Sequence, residues 1–101
     1  MTRGVFLYKW TRQHGFSEGM IGTPMIREAA DYVSGHGEEF PKLLDDVYVH
    51  VSRVFGRSIR SVERGIRTAI AASALAGCTS SEVIRTAATE LRLEMDTSYE
   101  D

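Results

Sequence analysis

The sequence contains few cysteines and prolines and no long apolar run. It has one cysteine, so an internal disulfide is excluded, and this favours a reducing, cytoplasmic setting. Two prolines and no low-complexity tract argue against disorder over most of the length. No run approaches the roughly 18 apolar residues that a membrane-spanning helix needs. With 43% hydrophobic residues, residues 1–101 are expected to form one domain around one core.

The chain also lacks the residue clusters on which enzymes and metalloproteins depend. Its three histidines and one cysteine are scattered singly, without metal-ligand spacing. Paired carboxylates, a P-loop and a Rossmann glycine motif are all absent from the sequence. We therefore expect no catalytic activity, no metal and no cofactor.

The chain has little net charge overall, but positive charge is concentrated in one segment. There are 12 Lys+Arg against 14 Asp+Glu, so a net charge of −2 gives no general attraction to nucleic acid. Between residues 53 and 67, however, five arginines stand against Glu63 alone, a local charge of +4. Any attraction to phosphate must therefore come from this segment.

The hydrophobic periodicity is close to 3.6 residues per turn almost throughout, which predicts an all-α bundle of about five helices. The first helix is predicted over about residues 5–14, ending at Gly15. Thr23 and Pro24 resemble an N-cap and a first helical residue, which predicts a second helix to about Val33.

The third helix is predicted to have Glu38, Glu39 and Pro41 in its first turn and to end at Phe55, closed by Gly56. Its predicted inward face consists of Leu44, Val47, Tyr48, Val51, Val54 and Phe55.

Two more helices follow. Ser58 is the predicted N-cap of a fourth helix that reaches about Ala76. Thr79 and Glu82 have the spacing of a capping box, which predicts a fifth helix to about Met95. The acidic tail 96–101 is expected to be frayed.

The fourth helix is predicted to be two-sided. Successive residues turn by about 100°, which separates two faces. The apolar face consists of Ile59, Val62, Ile66 and Ile70, and the charged face of Arg60, Glu63, Arg64 and Arg67. Gly65 costs about 1 kcal/mol of helix propensity relative to alanine, which suggests that something approaches it closely.

Residues 42–76 follow the pattern of a helix-turn-helix. Two amphipathic helices are joined by a short turn containing Gly56, and Val62 is placed to fill the space between them. In such a unit the second helix, here about 58–76, enters the major groove of double-stranded DNA. The arginine fork matches the acceptors of guanine, and glutamate accepts from the cytosine amino group.

The pattern alone leaves a second hypothesis open. The Glu63–Arg67 spacing of i,i+4 stabilises any exposed helix, so the charged face is also compatible with a helical protein–protein interaction module. Such a module would regulate related transcription factors without binding DNA itself.

The run Val62-Glu63-Arg64-Gly65-Ile66-Arg67-Thr68-Ala69-Ile70 resembles the recognition helix of one known family, the C-terminal DNA-binding domain of the master sporulation response regulator. The family motif is V-E-R-A-I-R-x-A-I. Further matches are Gly15, Gly22, Arg27-Glu28-Ala29, Ser81-Glu82 and Leu91-Arg92-Leu93-Glu94. The resemblance covers about residues 9–94.

The resemblance implies a bacterial transcription regulator that docks a helix-turn-helix into DNA, in tandem or dimeric fashion, and that touches the sigma subunit of RNA polymerase. It implies base reading by Glu63, Arg64 and Arg67, and phosphate or flanking contacts by Arg57, Ser58, Arg60 and Ser61. From their positions on the third helix, His50 and Arg53 are expected to be further phosphate contacts.

The sequence departs from the family pattern in three ways. No receiver domain precedes it, so we expect an excised domain or a stand-alone relative. The connection ALAGCTSS before the last helix is much shorter than the family's segment at this place, so a short helix is expected to be missing there. Val49 replaces a proline and Gly65 an alanine.

Overall fold

The computed structural model describes residues 1–36 and 42–100, and all regular secondary structure in these parts of the chain is helical. The elements are α1 (Arg3–Gln13), α2 (Gly22–Ser34), a π-helical turn (Leu43–Tyr48), α3 (Val49–Phe55), α4 (Ile59–Ala71) and α5 (Ser80–Glu100). The predicted all-α class is confirmed. None of these helices is long and apolar enough to cross a membrane.

Helix α2 is the centre of the bundle, because it packs against each of the other four α-helices. Its inner face consists of completely buried residues, Met25, Ile26, Ala29 and Ala30. The predicted inner face of α5 is confirmed in full: Val83, Ile84, Ala87, Ala88 and Leu91 are all buried. Together these faces form a single core on which α3 and α4 rest.

The predicted start of α2 is wrong. Thr23 is not its N-cap: the helix begins at Gly22, and the Thr23 hydroxyl is buried and donates to the carbonyl oxygen of Ser17 at 2.6 Å. Pro24 is consequently the third helical residue rather than the first. The reason is tertiary, because Gly22 is drawn into close contact with α4, where a side chain would not fit.

The third predicted helix is composite. Its proposed first-turn residues, Glu38, Glu39 and Pro41, lie outside the described residues. The described part opens with the π-helical turn, whose wider winding leaves Leu44 55% exposed instead of turned inward. Val54, also predicted to face inward, is 52% exposed in the last turn of α3. The rest of the predicted face is confirmed: Val47, Tyr48 and Val51 are buried and Phe55 is half-buried.

Helix α4 ends at Ala71 and not, as predicted, at about Ala76. The helical ladder stops because the backbone N–H of Ala74 donates to the carbonyl oxygen of His14, at the end of α1, at 2.9 Å. Gly15, with φ of 75°, makes room for this approach. Turns and bends then lead to Thr79, with no helix in the connection, as the sequence predicted.

The capping box at the start of α5 is confirmed. The backbone N–H of Thr79 donates to a Glu82 carboxylate oxygen at 3.0 Å, and that of Glu82 donates to the Thr79 hydroxyl at 3.1 Å. Helix α5 continues to Glu100, and fraying of the tail 96–101 stays a prediction. Neither glycine nor proline interrupts the sequence after Thr79.

Candidate nucleic-acid interface

The turn between α3 and α4 is tightly built. Gly56 adopts the left-handed conformation, with φ of 63°. The backbone N–H of Arg57 donates to the Ser52 carbonyl oxygen at 3.1 Å, and the Ser52 hydroxyl donates to the Arg57 carbonyl oxygen. Ser58 then caps α4 by accepting a hydrogen bond from the Ser61 backbone N–H at 3.1 Å. A short turn fixed at both ends holds the two helices in one orientation, consistent with the predicted helix-turn-helix.

Helix α4 has the two faces that its sequence predicted. Val62, Ile66, Ala69 and Ile70 are buried. Ile59, assigned to the same face, is 39% exposed because it begins the helix. Arg60, Arg64 and Arg67 are exposed on the other side. The helix therefore rests on the core along one side and presents guanidinium groups along the other.

Within the described residues, most of the arginines around α4 form no ion pair. Among residues 1–36 and 42–100, no salt bridge is formed by Arg53, Arg57, Arg60 or Arg64. Arg67 donates from Nη1 to Glu63 Oε1 at 3.1 Å. The three predicted base-reading residues, Glu63, Arg64 and Arg67, therefore lie together on one helix face, with one carboxylate among the cations.

The residues predicted to contact phosphate lie around the start of α4. Arg57, Ser58 and Arg60 are exposed, and Ser61 is half-buried. Ser58 uses its hydroxyl oxygen as the helix cap, so the hydroxyl hydrogen is what it can offer to a phosphate. The structure brings these four side chains to one end of the helix.

His50 has a different environment from the one predicted. Its Nε2 lies 3.1 Å from Glu28 Oε2, and its ring stacks on Tyr32 with centroids 4.3 Å apart. The side chain is thus turned toward α2 and already has partners. Arg53, on the same helix, is exposed. A phosphate contact by His50 stays a prediction, and it would compete with Glu28.

Tyr48, which the sequence assigned only to the core, is 3% exposed. Burial raises the pKa of its hydroxyl; Ser80 opposes the rise, the Glu63 carboxylate adds to it and Arg67 opposes it. The side chain is therefore a neutral member of the core.

Gly65 is approached closely, as the sequence suggested, but by the protein itself. A Cβ added to Gly22 would lie 2.0 Å from the carbonyl oxygen of Gly65. Around a Cβ on Gly65, the nearest atoms would be the Met25 sulphur at 3.4 Å and a methyl of Ile21 at 3.6 Å. Gly65 therefore faces α2 and lies off the arginine face.

With this geometry in place, the comparison with known families is decisive. The family model described as Sporulation initiation factor Spo0A C terminal matches residues 7–95. The chain belongs to this family. The match includes the helix-turn-helix and the helices that support it, and it confirms the resemblance seen in the α4 motif. No curated protein matches the sequence.

Membership of the Spo0A C-terminal family gives the chain a functional class. The family is that of a DNA-binding domain of a sporulation transcription factor, and not a family of enzymes. Within the described residues, no group of three or more histidine, cysteine, aspartate or glutamate side chains is placed to hold a metal ion.

Proposed function

We propose that the chain is a sequence-specific DNA-binding regulator of transcription that inserts the N-terminal half of α4 into the major groove. The observation that carries the proposal is the exposure of Arg60, Arg64 and Arg67 on the face opposite buried Val62 and Ile66. A helix anchored on one side and cationic on the other fits the width of the major groove, which admits an α-helix.

Glu63, Arg64 and Arg67 are the proposed base readers. Arginine donates two parallel hydrogen bonds to the O6 and N7 acceptors of guanine, and glutamate accepts from the cytosine N4 amino group. Arg64 reaches the groove with no ion pair to break among the described residues. The expected target is therefore a short site in which G·C pairs are read by this helix.

The pair between Glu63 and Arg67 does not prevent reading. Both side chains are well exposed, Arg67 at 65% and Glu63 at 43%. Exposed i,i+4 pairs contribute only about 0.3–0.5 kcal/mol. A bidentate contact to the correct base is worth about 1–3 kcal/mol. Exchange of the Glu63–Arg67 pair for base contacts is consequently favourable.

Arg57, Ser58, Arg60 and Ser61 are the proposed phosphate or flanking contacts, with Arg53 and His50 as outer ones. Backbone phosphates lie on either side of a helix in the major groove, so residues at its start and in the preceding turn meet them first. Each neutralised phosphate releases a counterion, which makes the affinity depend on salt.

DNA binding is the part of the family's activity that the described geometry supports best. Contact with the RNA polymerase sigma subunit and tandem or dimeric binding stay predictions from resemblance. The connection between α4 and α5, residues 72–79, consists of turns and bends without a helix.

An NMR titration tests the proposed docking. The backbone amide signals of ¹⁵N-labelled protein are followed while a duplex selected from a randomised pool is added, with a scrambled duplex as control. We expect the largest shifts at residues 53–67 and little change in α1. Shifts centred on α1 or α5 would exclude the proposed docking. The alternative, a protein–protein interaction module, predicts that the chain binds neither duplex. It also predicts a protein partner that stays bound after nuclease treatment and is lost when Arg64 and Arg67 are replaced.

A further inference from the structure

We propose that Ile21, in the connection between α1 and α2 (residues 14–21), is a specificity-determining residue that contacts the C5-methyl group of a thymine beside the base pair read by Arg64. The inference rests on the proposed function of α4 and names a further part of its target. It extends the DNA interface to a residue outside the helix-turn-helix.

Ile21 is held against the flank of α4 by the residue that follows it. Gly22 packs so closely on α4 that a Cβ added to it would lie 2.0 Å from the carbonyl oxygen of Gly65. This contact places Ile21 beside the same helix, where one of its methyl groups would lie 3.6 Å from a Cβ added to Gly65. The position of Ile21 relative to α4 is therefore set by packed backbone.

The Ile21 side chain is only partly used by the fold. It is 42% exposed, although it is a large aliphatic residue. It stands at the N-cap position of α2, and among the described residues it makes no side-chain capping hydrogen bond. Serine, threonine, aspartate and asparagine are the residues preferred at such positions. The exposed part of the Ile21 side chain is thus available to a ligand.

The exposed part of Ile21 lies on the side of α4 that carries Arg64. Met20 and Ile21 line one wall of an open cavity of about 300 Å³, and Ser61, Arg64 and Thr68 line the other. These three α4 residues are spaced i, i+3 and i+7, so they form one stripe along the helix. Arg64 belongs both to this stripe and to the arginine face. The cavity therefore adjoins the proposed base-reading surface.

Thymine supplies the chemical group that matches this aliphatic wall. Base edges in the major groove present hydrogen-bond donors, acceptors and one apolar group, the C5-methyl of thymine, which aliphatic side chains recognise by contact. Within the parts of the chain that the structure describes, Arg64 forms no ion pair, so its charge attracts DNA to the same place. With Arg64 on one base pair, Ile21 is placed to meet the neighbouring one.

The test removes the two partners of this contact separately. Deoxyuridine pairs as thymine does but lacks the C5-methyl, so each thymine of the selected duplex is replaced by deoxyuridine in turn. The base pair read by Arg64 is the one whose identity no longer matters to Arg64→Ala. For the wild type, we expect deoxyuridine at the neighbouring pair to weaken binding about three- to fourfold, the effect of one buried methyl group. Ile21→Ala should bind the thymine and deoxyuridine duplexes equally.

Val5→Ala is the matched control. Val5 is also an aliphatic residue, 45% exposed, but it lies on α1. The Val5→Ala variant should keep the full deoxyuridine effect, and Ile21→Val, which retains a branched aliphatic side chain, should keep most of it. Urea unfolding establishes that the variants are folded under the binding conditions.

The outcomes are distinguishable. If the wild type binds specifically but no thymine beside the Arg64 base pair shows a deoxyuridine effect, the inference is overturned alone. It is also overturned alone if the effect persists in Ile21→Ala; an equal loss of affinity for both duplexes would then assign Ile21 to the sugar–phosphate backbone. A wild type without sequence preference would instead overturn the proposed function itself.

Discussion

Gly22 of α2 packs its α-carbon against the backbone of Gly65 in α4, the proposed recognition helix. A Cβ on Gly22 would lie 2.0 Å from the Gly65 carbonyl oxygen and 2.9 Å from the Ala69 Cβ. Two backbones this close fix the position of α4 relative to the central helix. The arginine face is therefore presented by a helix whose buried side has little freedom to shift.

This contact predicts opposite effects for two glycine substitutions. Gly22→Ala must push apart backbone atoms, and we expect a loss of about 1–3 kcal/mol or more in the free energy of unfolding. Gly65→Ala meets the Met25 sulphur at 3.4 Å, an Ile21 methyl at 3.6 Å and the Gly22 Cα at 3.8 Å, which are ordinary contact distances, and should gain up to about 1 kcal/mol of helix propensity. Urea unfolding of the two variants measures both. A Gly22→Ala variant as stable as the wild type would contradict the close packing.

Removal of a proposed base reader should weaken specific binding without unfolding the protein. Arg64→Ala and Arg67→Ala are each expected to cost about 1–3 kcal/mol at the best site and to relax the base preference at one position. Both residues are exposed, so circular dichroism should stay unchanged. Arg12→Ala, which removes the same charge from α1, is the matched control. Equal binding by Arg64→Ala and Arg12→Ala would disprove the assignment of Arg64.

Removal of a proposed phosphate contact should act in a different way. Arg57 is exposed in the turn before α4. We expect Arg57→Ala to weaken binding to all duplexes by a similar factor and to reduce the slope of log K against log salt by about one. Affinities at four or more salt concentrations give the slope. A penalty that depends strongly on base sequence would assign Arg57 to base reading instead.

The capping box makes stability depend on pH in acid. The Thr79 backbone N–H donates to the Glu82 carboxylate and, with the Thr79 side chain, lowers the pKa of Glu82. A group with a lowered folded-state pKa stabilises the protein above its unfolded-state pKa, and this contribution is lost as pH falls through the folded-state pKa. The free energy of unfolding should therefore fall in acid by less in Glu82→Gln than in the wild type.

The control for this prediction is Glu94→Gln, which removes a carboxylate from the same helix far from its first turn. The pH dependence of the free energy of unfolding that comes from Glu82 should remain in the Glu94→Gln variant. Thr79→Ala removes the N-cap hydroxyl and should cost about 0.5–2 kcal/mol at neutral pH. Identical pH profiles for wild type and Glu82→Gln would show that the capping pair contributes nothing measurable.

Features of the fold that depend on neighbouring residues were predictable from the sequence. Ser58, Gly56 and the Thr79–Glu82 pair are confirmed at helix ends, because capping is decided within four residues. The arginine face of α4 follows from helical periodicity in the same way. These local rules were sufficient to predict both the all-α class and the face proposed to meet DNA.

Features that depend on distant parts of the chain were not predictable. Thr23 matches an N-cap, but the contact of Gly22 with Gly65 moves the helix start by two residues. The end of α4 is set by a hydrogen bond from Ala74 to His14, 60 positions earlier in the chain. A sequence pattern of a few residues cannot predict contacts between residues this far apart in the chain.

The central claim, specific recognition of DNA by α4, is tested most directly by one binding measurement. Sites are selected from a randomised duplex pool, and the affinity of the winning duplex and of a scrambled one is measured by fluorescence anisotropy at several salt concentrations. We predict a short recurring motif, a preference of about 10³-fold or more for the selected duplex, and a steep salt slope. No enrichment, with equal and weak binding to both duplexes even at low salt, would contradict the claim.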